Sequence, residues 1–368
     1  MVDVQAPFGW QLPVALRFGA GCSDELAAAL AGRAAVVLAF APADALGLRG
    51  RWQAALGAQL RGWVTAPDGL SSIARARQLS AELWPLMDHA TVLIAVGGGT
   101  TLDLAKVLRC RPADGRFEAL AAALRGQAPW PALQRAPLWL LPTTAGTGSE
   151  VTRWATVWDT EAEPAVKRSL DEPWGWAERA FVDPALTLSC PPEVTRDTAL
   201  DTLAHALEAL WNRHANPLSS ALAVTAARGV LRHLPALLQQ PRDLGLRSQL
   251  ALASLQAGLA FSQTRTALAH ALSYDLTLQQ GVPHGLACAL WLPTAWRLAL
   301  GRSADTDAAL AQVFDRPAAD GLQALERWLR DLGVATGAEA FAALGIHDAS
   351  QRVQAALGSA RGRNFIGA

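Results

Sequence analysis

Four residues in the second half of the chain have the types and spacing of a metal site: Asp201, His205, His270 and His284. Asp201 and His205 stand four apart in LDTLAHALEALW, whose leucines at 203, 207 and 210 and lack of Gly or Pro predict a helix. Residues four apart on a helix share one face, a turn apart. His270 lies in RTALAHALSY, a second helical run, and His284 in GVPHG, read as a loop just beyond it. One carboxylate and three imidazoles suit a divalent ion of the iron or zinc kind. The competing reading is four unrelated polar residues, which is the commoner situation for any single histidine. The rest of the chain has to decide.

A second chemical signal is the use of lysine. Of 32 basic side chains only two are lysines, Lys106 and Lys167, and arginine supplies the charge everywhere else. A chain that keeps Lys twice has a use for a compact ammonium at those positions. Lys106 ends VGGGTTLDLAK, in which a strand runs into Gly97-Gly98-Gly99 and a helix begins near Thr100. Three glycines let the backbone approach a pyrophosphate, and a helix start offers N–H groups and partial positive charge. This is not the GxGxxG fingerprint, and alone it is weak. In LLPTTAGTGSEVT, Thr143, Thr144, Thr147 and Ser149 cluster around Gly146 and Gly148. Small hydroxyls on a glycine-rich loop suit phosphate and ribose, or else a turn capped by its own hydroxyls.

The elements that would position these residues divide into two sets. QLPVALRFG is read as a strand, and SDELAAALAG as a helix with a serine N-cap. AAVVLAFAP, GWVTAP, TVLIAVGGG and APLWLLPTT are short apolar strands that alternate with the helical runs RWQAALGAQL, SSIARARQLSAELWPLM and TLDLAKVLR. Such alternation predicts a doubly wound α/β domain with a parallel sheet, placed at residues 1–185. From 186 to 368 the apolar runs lengthen to helical spacing, with proline breaks at 191, 192, 217, 235, 241, 283 and 293. This half is predicted to be all-helical.

Composition excludes several classes. Lys plus Arg equals Asp plus Glu at 32 each, with no basic block or acidic tail, which argues against nucleic acid or a membrane surface as partner. MVDVQAPFGWQLP has neither the basic start nor the apolar core of a signal peptide, and no apolar stretch reaches membrane-spanning length. Cys22, Cys110, Cys190 and Cys288 lie far apart without CxxC, which predicts reduced thiols in a cytoplasmic protein.

Taken in order, GGGTTLDLAK, PTTAGTGSEVT, Lys167 in AVKRSL, FVDPALT, LDTLAHALEALW and HALSYDLTLQQGVPHG resemble the iron-containing (group III) alcohol dehydrogenases over roughly residues 15–300. The resemblance implies a Rossmann-like NAD(P) domain followed by an all-α metal-binding domain, a dehydroquinate synthase-like architecture with the active site in the cleft. It implies that Asp201, His205, His270 and His284 are the ligands of one divalent metal, Fe²⁺ or Zn²⁺. Gly97, Gly98, Gly99, Thr100 and Asp103 would receive the pyrophosphate. Thr143, Thr144 and Ser149 would line the nicotinamide side, Lys106 would serve the cofactor, and Lys167 would lie near ribose and nicotinamide. A homodimer is the family expectation.

The expected reaction is reduction of a small aldehyde to a primary alcohol, hydride passing from NAD(P)H to a metal-polarised carbonyl. Two departures stand out. Many relatives carry a second histidine four residues after the third ligand, where this chain has Tyr274, its sole tyrosine and a poor base near neutral pH. At the end of the second strand an Asp often reads the adenosine ribose. Here Phe40 stands there, with Asp44 displaced, so a 2′-phosphate meets no like charge and NAD and NADP both stay open. HALSY, LT and GVPHG look like the phosphonoacetaldehyde reductase branch, with Arg265 and Arg153 as phosphonate partners and Arg361 and Arg363 in a segment able to fold back. The alternatives are a general group III alcohol or aldehyde dehydrogenase, a maleylacetate-reductase-like enzyme, a dehydroquinate-synthase-like lyase, and an inactive nucleotide- or metal-binding domain.

Overall fold

The computed structural model describes residues 7–368, in two compact units. One unit comprises Leu12–Thr144 and Ser149–Ser189. The other comprises Ala145–Gly148 and Cys190–Ala368, together with the described N-terminal residues up to Gln11.

The first unit is α/β. Its strands are β1 (Ala15–Phe18), β2 (Ala35–Phe40), β3 (Leu60–Ala66), β4 (Val92–Gly97), β5 (Cys110–Pro112), β6 (Leu133–Arg135), β7 (Leu138–Pro142), β8 (Trp154–Asp159), β9 (Val166–Asp171) and β10 (Arg179–Val182). Its helices are α1 (Leu26–Leu30), α2 (Leu48–Leu56), α3 (Ile73–Leu83), α4 (Gly99–Leu108) and α5 (Phe117–Leu124). Six strands form one parallel sheet in the order β1-β10-β7-β4-β2-β3.

The apolar runs are continuous because both faces of this sheet are covered. Val36, Leu38, Leu93, Ala95, Leu138 and Leu140 pack with α3 and α4, while Val37, Ala39, Ile94, Val96, Trp139 and Leu141 pack with α1 and α2. Alternate residues of each strand thus serve opposite cores. From β2 the chain moves outward to β3 and then returns to the other side of β2 as β4. The carboxyl ends of β2 and β4, at Phe40 and Gly97, therefore flank the topological switch point where α/β sheets bind ligands.

Two local expectations are revised. Ser23 does not cap a helix. The chain forms a 3-10 turn at Cys22–Glu25, and the Ser23 hydroxyl donates to Asp183 at 2.6 Å. Asp183, in FVDPALT, also accepts from the Gly21 and Ser23 N–H groups, so it takes over the capping role. The antiparallel hairpin β8–β9, which places Lys167 opposite Trp158, has no counterpart in the sequence reading.

The second unit is helical: α6 (Pro192–Leu210), α7 (Pro217–Gln239), α8 (Leu244–Thr264), α9 (Leu268–Gln280), α10 (His284–Ala299), α11 (Ala304–Phe314), α12 (Ala318–Asp331), α13 (Ala338–Ala343) and α14 (Ala349–Leu357). Pro192 and Pro217 begin helices, where a missing N–H costs nothing. Pro235 and Pro293, expected as breaks, lie inside α7 and α10. Pro235 cannot bond the Leu231 carbonyl four residues back, and the Trp328 indole N–H donates to that carbonyl instead. No helix among the described residues is long and apolar enough to cross a membrane.

Lys106 is a structural keystone of the α/β unit. Its ammonium is fully buried and donates to the Thr152 carbonyl at 2.9 Å, the Thr152 hydroxyl at 3.2 Å and the Trp154 carbonyl at 2.7 Å. Burial lowers its pKa to about 8 against the pull of Asp103 and Glu150. A lysine lowered in the folded state holds its proton less well there than in the unfolded chain. Stability is therefore reduced below about pH 8 and recovers as the pH rises toward the unfolded value. Lys106→Met should lower unfolding free energy by about 2–4 kcal/mol near neutral pH, because two buried carbonyls lose their donor. In urea unfolding the gap between the native protein and this variant should widen from pH 8 to pH 10. A narrowing gap would contradict the assignment.

Candidate metal and cofactor site

Asp201, His205 and Glu208 occupy successive turns of α6, and all three are buried. Helix α9 presents His270. His284, expected in a loop, is the first residue of α10, with Pro283 at the N-cap. The start of α10 lies hard against α6: a Cβ on Gly285 would fall 1.8 Å from the Asp197 carbonyl oxygen and 2.8 Å from the Asp201 nitrogen. Only glycine permits that approach, and it brings His284 within reach of Asp201.

The four side chains converge. Asp201 Oδ1 lies 3.4 Å from His270 Nε2, 3.8 Å from His205 Nε2 and 3.9 Å from His284 Nε2. His205 Nε2 and His270 Nε2 are 3.0 Å apart. Ligands of one tetrahedral ion, at metal–nitrogen lengths of ~2.0–2.1 Å, sit about 3.3 Å apart. Asp201 Oδ1 is buried and meets no hydrogen-bond donor among the described residues. A buried anionic oxygen faced only by ring nitrogens fits a cation as the missing partner.

Residues outside the predicted set hold this arrangement. Glu208 Oε2 receives His270 Nδ1 at 2.7 Å and the Ala267 N–H at 2.7 Å, while Oε1 receives the N–H groups of Ala269 and His270 at 2.5 and 3.2 Å. One carboxylate of α6 thereby caps α9 and keeps a proton on His270 Nδ1, so that Nε2 is the nitrogen left to face a metal. The Phe261 ring stacks on His205 at 4.0 Å, with 8° between planes. The 145–148 segment packs against the same helices, with Thr202 donating to the carbonyls of Ala145 and Gly146 at 3.3 and 3.4 Å. A Cβ on Gly148 would meet Gly258 Cα at 2.6 Å.

In the α/β unit, Gly97 ends β4, Gly98 is the N-cap of α4 without a capping side chain, and Gly99 and Thr100 open the helix. A Cβ on Gly97 would strike Thr101 at 2.5 Å and approach Phe40 at 3.0 Å. Thr143 donates its N–H to the Gly97 carbonyl at 3.0 Å, and Thr144 lies 3.5 Å from the Cβ position of Gly98. The structure thus brings the glycine turn together with Thr143 and Thr144 at the switch point. Asp103 and Ser149 pair with each other: the Ser149 hydroxyl donates to Asp103 at 2.7 Å, and the Thr156 N–H donates to its second oxygen at 2.8 Å. Lys167 lies over the Trp158 ring, 5.8 Å from its centroid.

Family models match nearly the whole chain: iron-containing alcohol dehydrogenase over residues 13–184, and the C-terminal part of the Fe-containing alcohol dehydrogenase family over residues 195–364. The chain belongs to the iron-containing alcohol dehydrogenase family. Its similar curated relatives include 1-propanol dehydrogenase PduQ of Salmonella typhimurium, 35% identical over 226 residues, covering 60% of this chain and 56% of the relative. Long-chain-alcohol dehydrogenase 1 of Geobacillus thermodenitrificans is 38% identical over 204 residues, covering 55% and 50%. The chain spans about half the length of the curated relatives it matches. A sulfoacetaldehyde reductase from Bifidobacterium kashiwanohense, in complex with NAD+, has the same fold at a TM-score of 0.86 and 24% identity, covering 98% of this chain and 94% of that one. The α/β domain followed by a helical domain is the architecture of these iron-containing alcohol dehydrogenase neighbours.

Burial alone would raise the Asp201 carboxyl, but the imidazoles of His205, His270 and His284 outweigh it and hold Asp201 ionised. Burial lowers His205 to about 4 despite Asp201, leaving it neutral. Burial also opposes charge on His270, yet Cys288, Glu208 and Asp201 hold it well above the usual range. The two predicted substrate arginines have different surroundings: Arg153 is paired with Asp171 at 2.9 Å, and Arg265 is exposed at the end of α8 with φ +71. Arg361 instead lies over the Tyr274 ring, 5.5 Å from its centroid, and donates to the Thr266 hydroxyl at 2.6 Å. The Tyr274 ring is nearly parallel to His284 at 6.3 Å. Arg363 donates to the Gly358 carbonyl. Asp44, displaced from the ribose position, is paired with Arg49 at 3.2 Å.

Sequence reasoning missed Glu208 and Cys288. Glu208 stands three residues after His205 on an otherwise apolar helical face, and Cys288 four after His284, so their spacing alone could have flagged both. Glu208→Gln should place an amide NH₂ among N–H donors. We expect metal affinity lowered about 10- to 100-fold in chelator competition, with partial loss of thermal stability. Unchanged affinity would remove Glu208 from the site.

Proposed function

We propose that this chain reduces a small aldehyde to a primary alcohol, using NAD(P)H in the α/β unit and one divalent metal held by Asp201, His205, His270 and His284. The observation that carries this reading is the convergence of one orphaned carboxylate oxygen and three imidazole nitrogens on α6, α9 and α10. When bound, the metal supplies Lewis acidity toward a carbonyl oxygen and the reduced nicotinamide supplies hydride. The protein's own groups do the rest. Asp201 provides the single negative charge of the donor set, so the site keeps a net positive charge with a divalent ion in place. Glu208 keeps the His270 proton on Nδ1 and away from the donor nitrogen.

The Tyr274 phenol is raised by burial, only partly offset by Arg361 and His270, so it keeps its proton at neutral pH. It therefore suits donation of a hydrogen bond toward a substrate oxygen better than proton abstraction. Gly97, Gly98, Gly99 and Thr100 form the cradle for the pyrophosphate, and α4 opens there without a capping side chain. Thr143, Thr144 and Lys167 serve the nicotinamide side. Asp103, Lys106 and Ser149 shape that cradle indirectly, because their polar atoms bond within the unit.

For substrate, we favour an aldehyde carrying an anionic group, with phosphonoacetaldehyde as the leading candidate. Arg361, over Tyr274, is better placed for the anion than Arg265 or Arg153. A similar structure being a sulfoacetaldehyde reductase supports an anionic two-carbon aldehyde as the class. A neutral-aldehyde reading draws support from the Arg153–Asp171 pairing, which occupies one expected phosphonate partner, and from the 1-propanol dehydrogenase relatives.

The test is a panel of phosphonate, sulfonate, carboxylate and neutral aldehydes against NADH and NADPH. We expect oxidation of the cofactor that is lost on chelation and regained with Fe²⁺ or Zn²⁺. Phosphonoacetaldehyde should exceed propanal at least about tenfold in kcat/KM, and Arg361→Gln should reduce the former more than the latter. Equal rates on propanal would favour the neutral-aldehyde enzyme, and activity indifferent to chelation would overturn the metal role.

A further inference from the structure

Three non-glycine residues among those described have a positive φ, and they are not alike. Ala31 and Asp315 close α1 and α11 with φ/ψ of 50/43 and 52/44, an ordinary left-handed helix end. Arg265 closes α8 with φ 71 and ψ 174, a backbone region that a Cβ disfavours and that glycine occupies almost alone. Such a conformation persists only where the surroundings over-determine it, and here they do. The Arg265 N–H donates to the Phe261 carbonyl at 2.7 Å, and its carbonyl accepts from Asn212 Nδ2 and from the Thr264 hydroxyl, each at 3.1 Å. Thr266 accepts from Arg361 at its hydroxyl, at 2.6 Å, and from Asn364 at its carbonyl, at 2.9 Å, while the Ala267 N–H donates to Glu208 at 2.7 Å. Each of these bonds uses backbone atoms of Arg265 or atoms of its neighbours, so glycine at 265 would keep them all and shed the strain. The path of the turn therefore does not account for a side chain there. Its surroundings do. Phe261, one turn earlier, stacks on His205, and Arg361, anchored on Thr266, lies over Tyr274. Thr264 and Thr266 are buried, and Arg265 between them is exposed. One short turn thus carries one guanidinium and anchors a second.

We propose that Arg265 is a substrate-binding residue, the second cation, after Arg361, of a clamp for a dianionic head group, so that the site selects a phosphonate over a sulfonate. This rests on the anionic-aldehyde reading above and narrows it. One guanidinium neutralises a singly charged sulfonate, whereas a phosphonate dianion leaves a full charge for another. The strained backbone serves as preorganisation: it fixes where the Arg265 side chain leaves the turn before the anion arrives, which lowers the ordering cost of binding. Glu208, which receives the Ala267 N–H, also receives His270 Nδ1, so the turn and the imidazole are held by one carboxylate.

Ethylphosphonate and ethanesulfonate carry the two head groups without a reacting carbonyl, so titration calorimetry on the metal-loaded full chain reads the clamp without turnover. The native protein, Arg265→Ala, Arg265→Gly and Arg361→Gln are compared above the second pKa of the phosphonate, and the melting temperature of each is recorded. Arg265→Ala should bind ethylphosphonate at least about tenfold more weakly and lose less than about threefold on ethanesulfonate. Arg265→Gly should lose the same affinity yet melt a few degrees above Arg265→Ala, the reverse of the order at an unstrained position. Unchanged ethylphosphonate affinity in Arg265→Ala overturns the proposal, and a loss confined to Arg361→Gln then leaves the anionic-aldehyde reading standing on Arg361 alone. Equal losses for the two anions, or a native protein that prefers ethanesulfonate, overturn the dianion clamp. Arg265→Gly melting below Arg265→Ala also overturns it, because the backbone is then unstrained. A native protein that binds neither anion overturns this proposal and the anionic-aldehyde reading together.

Discussion

A carboxylate stripped of water is stable only when donors replace what it has lost, and Glu208 meets this constraint with four. Three are backbone N–H groups at the start of α9, and the fourth is the ring N–H of His270. The backbone donors belong to residues that an N-terminal helix turn leaves without intrahelical partners. A single side chain on α6 therefore terminates α9, fixes the distance between the two helices and sets the imidazole tautomer. Asp201 and His205, on earlier turns of α6, then face His270 at a separation the backbone has already determined. Gly285 does the equivalent for α10 by omission, since any side chain there would push His284 away from Asp201.

The α/β unit repeats this logic with the charges exchanged. Its buried cation, Lys106, is held by carbonyls of the 152–154 turn, and its neighbour Asp103 is held by Ser149 and Thr156. These two side chains on α4 fasten the helix to the β8–β9 hairpin that carries Lys167. The turn before α4 needs glycine at position 97 because Thr101 and Phe40 are packed at distances that admit no Cβ there. Charged residues that look catalytic in the sequence thus divide into those that present atoms to a ligand and those that hold the presenting elements still.

Much of this was legible in the residues. The parallel α/β architecture followed from short apolar strands alternating with helical runs, because a sheet buried on both faces leaves no polar alternation to find. The pairing of Asp201 with His205 followed from helical spacing. What could not be read was long-range. Nothing local to Lys106 says that its ammonium ends on carbonyls some 46–48 residues later, and nothing local to Arg361 says that it comes to lie over Tyr274. Pro235 misled because its missing hydrogen bond is compensated by a tryptophan 93 residues away in sequence, from which the indole donates to the freed carbonyl. Pro283 and Gly281 make GVPHG read as a loop around His284, whereas the proline is the cap from which α10 starts.

Helices α6, α9 and α10 build a site for one divalent cation between Asp201, His205, His270 and His284. Anomalous diffraction measured at the absorption edge of the bound metal, on crystals of the metal-loaded protein, tests it most directly. We expect one strong peak per chain within coordinating distance of Asp201 Oδ1, His205 Nε2, His270 Nε2 and His284 Nε2. A metal-loaded crystal whose anomalous peak lies elsewhere, with none among these four side chains, is the opposite result and removes the site.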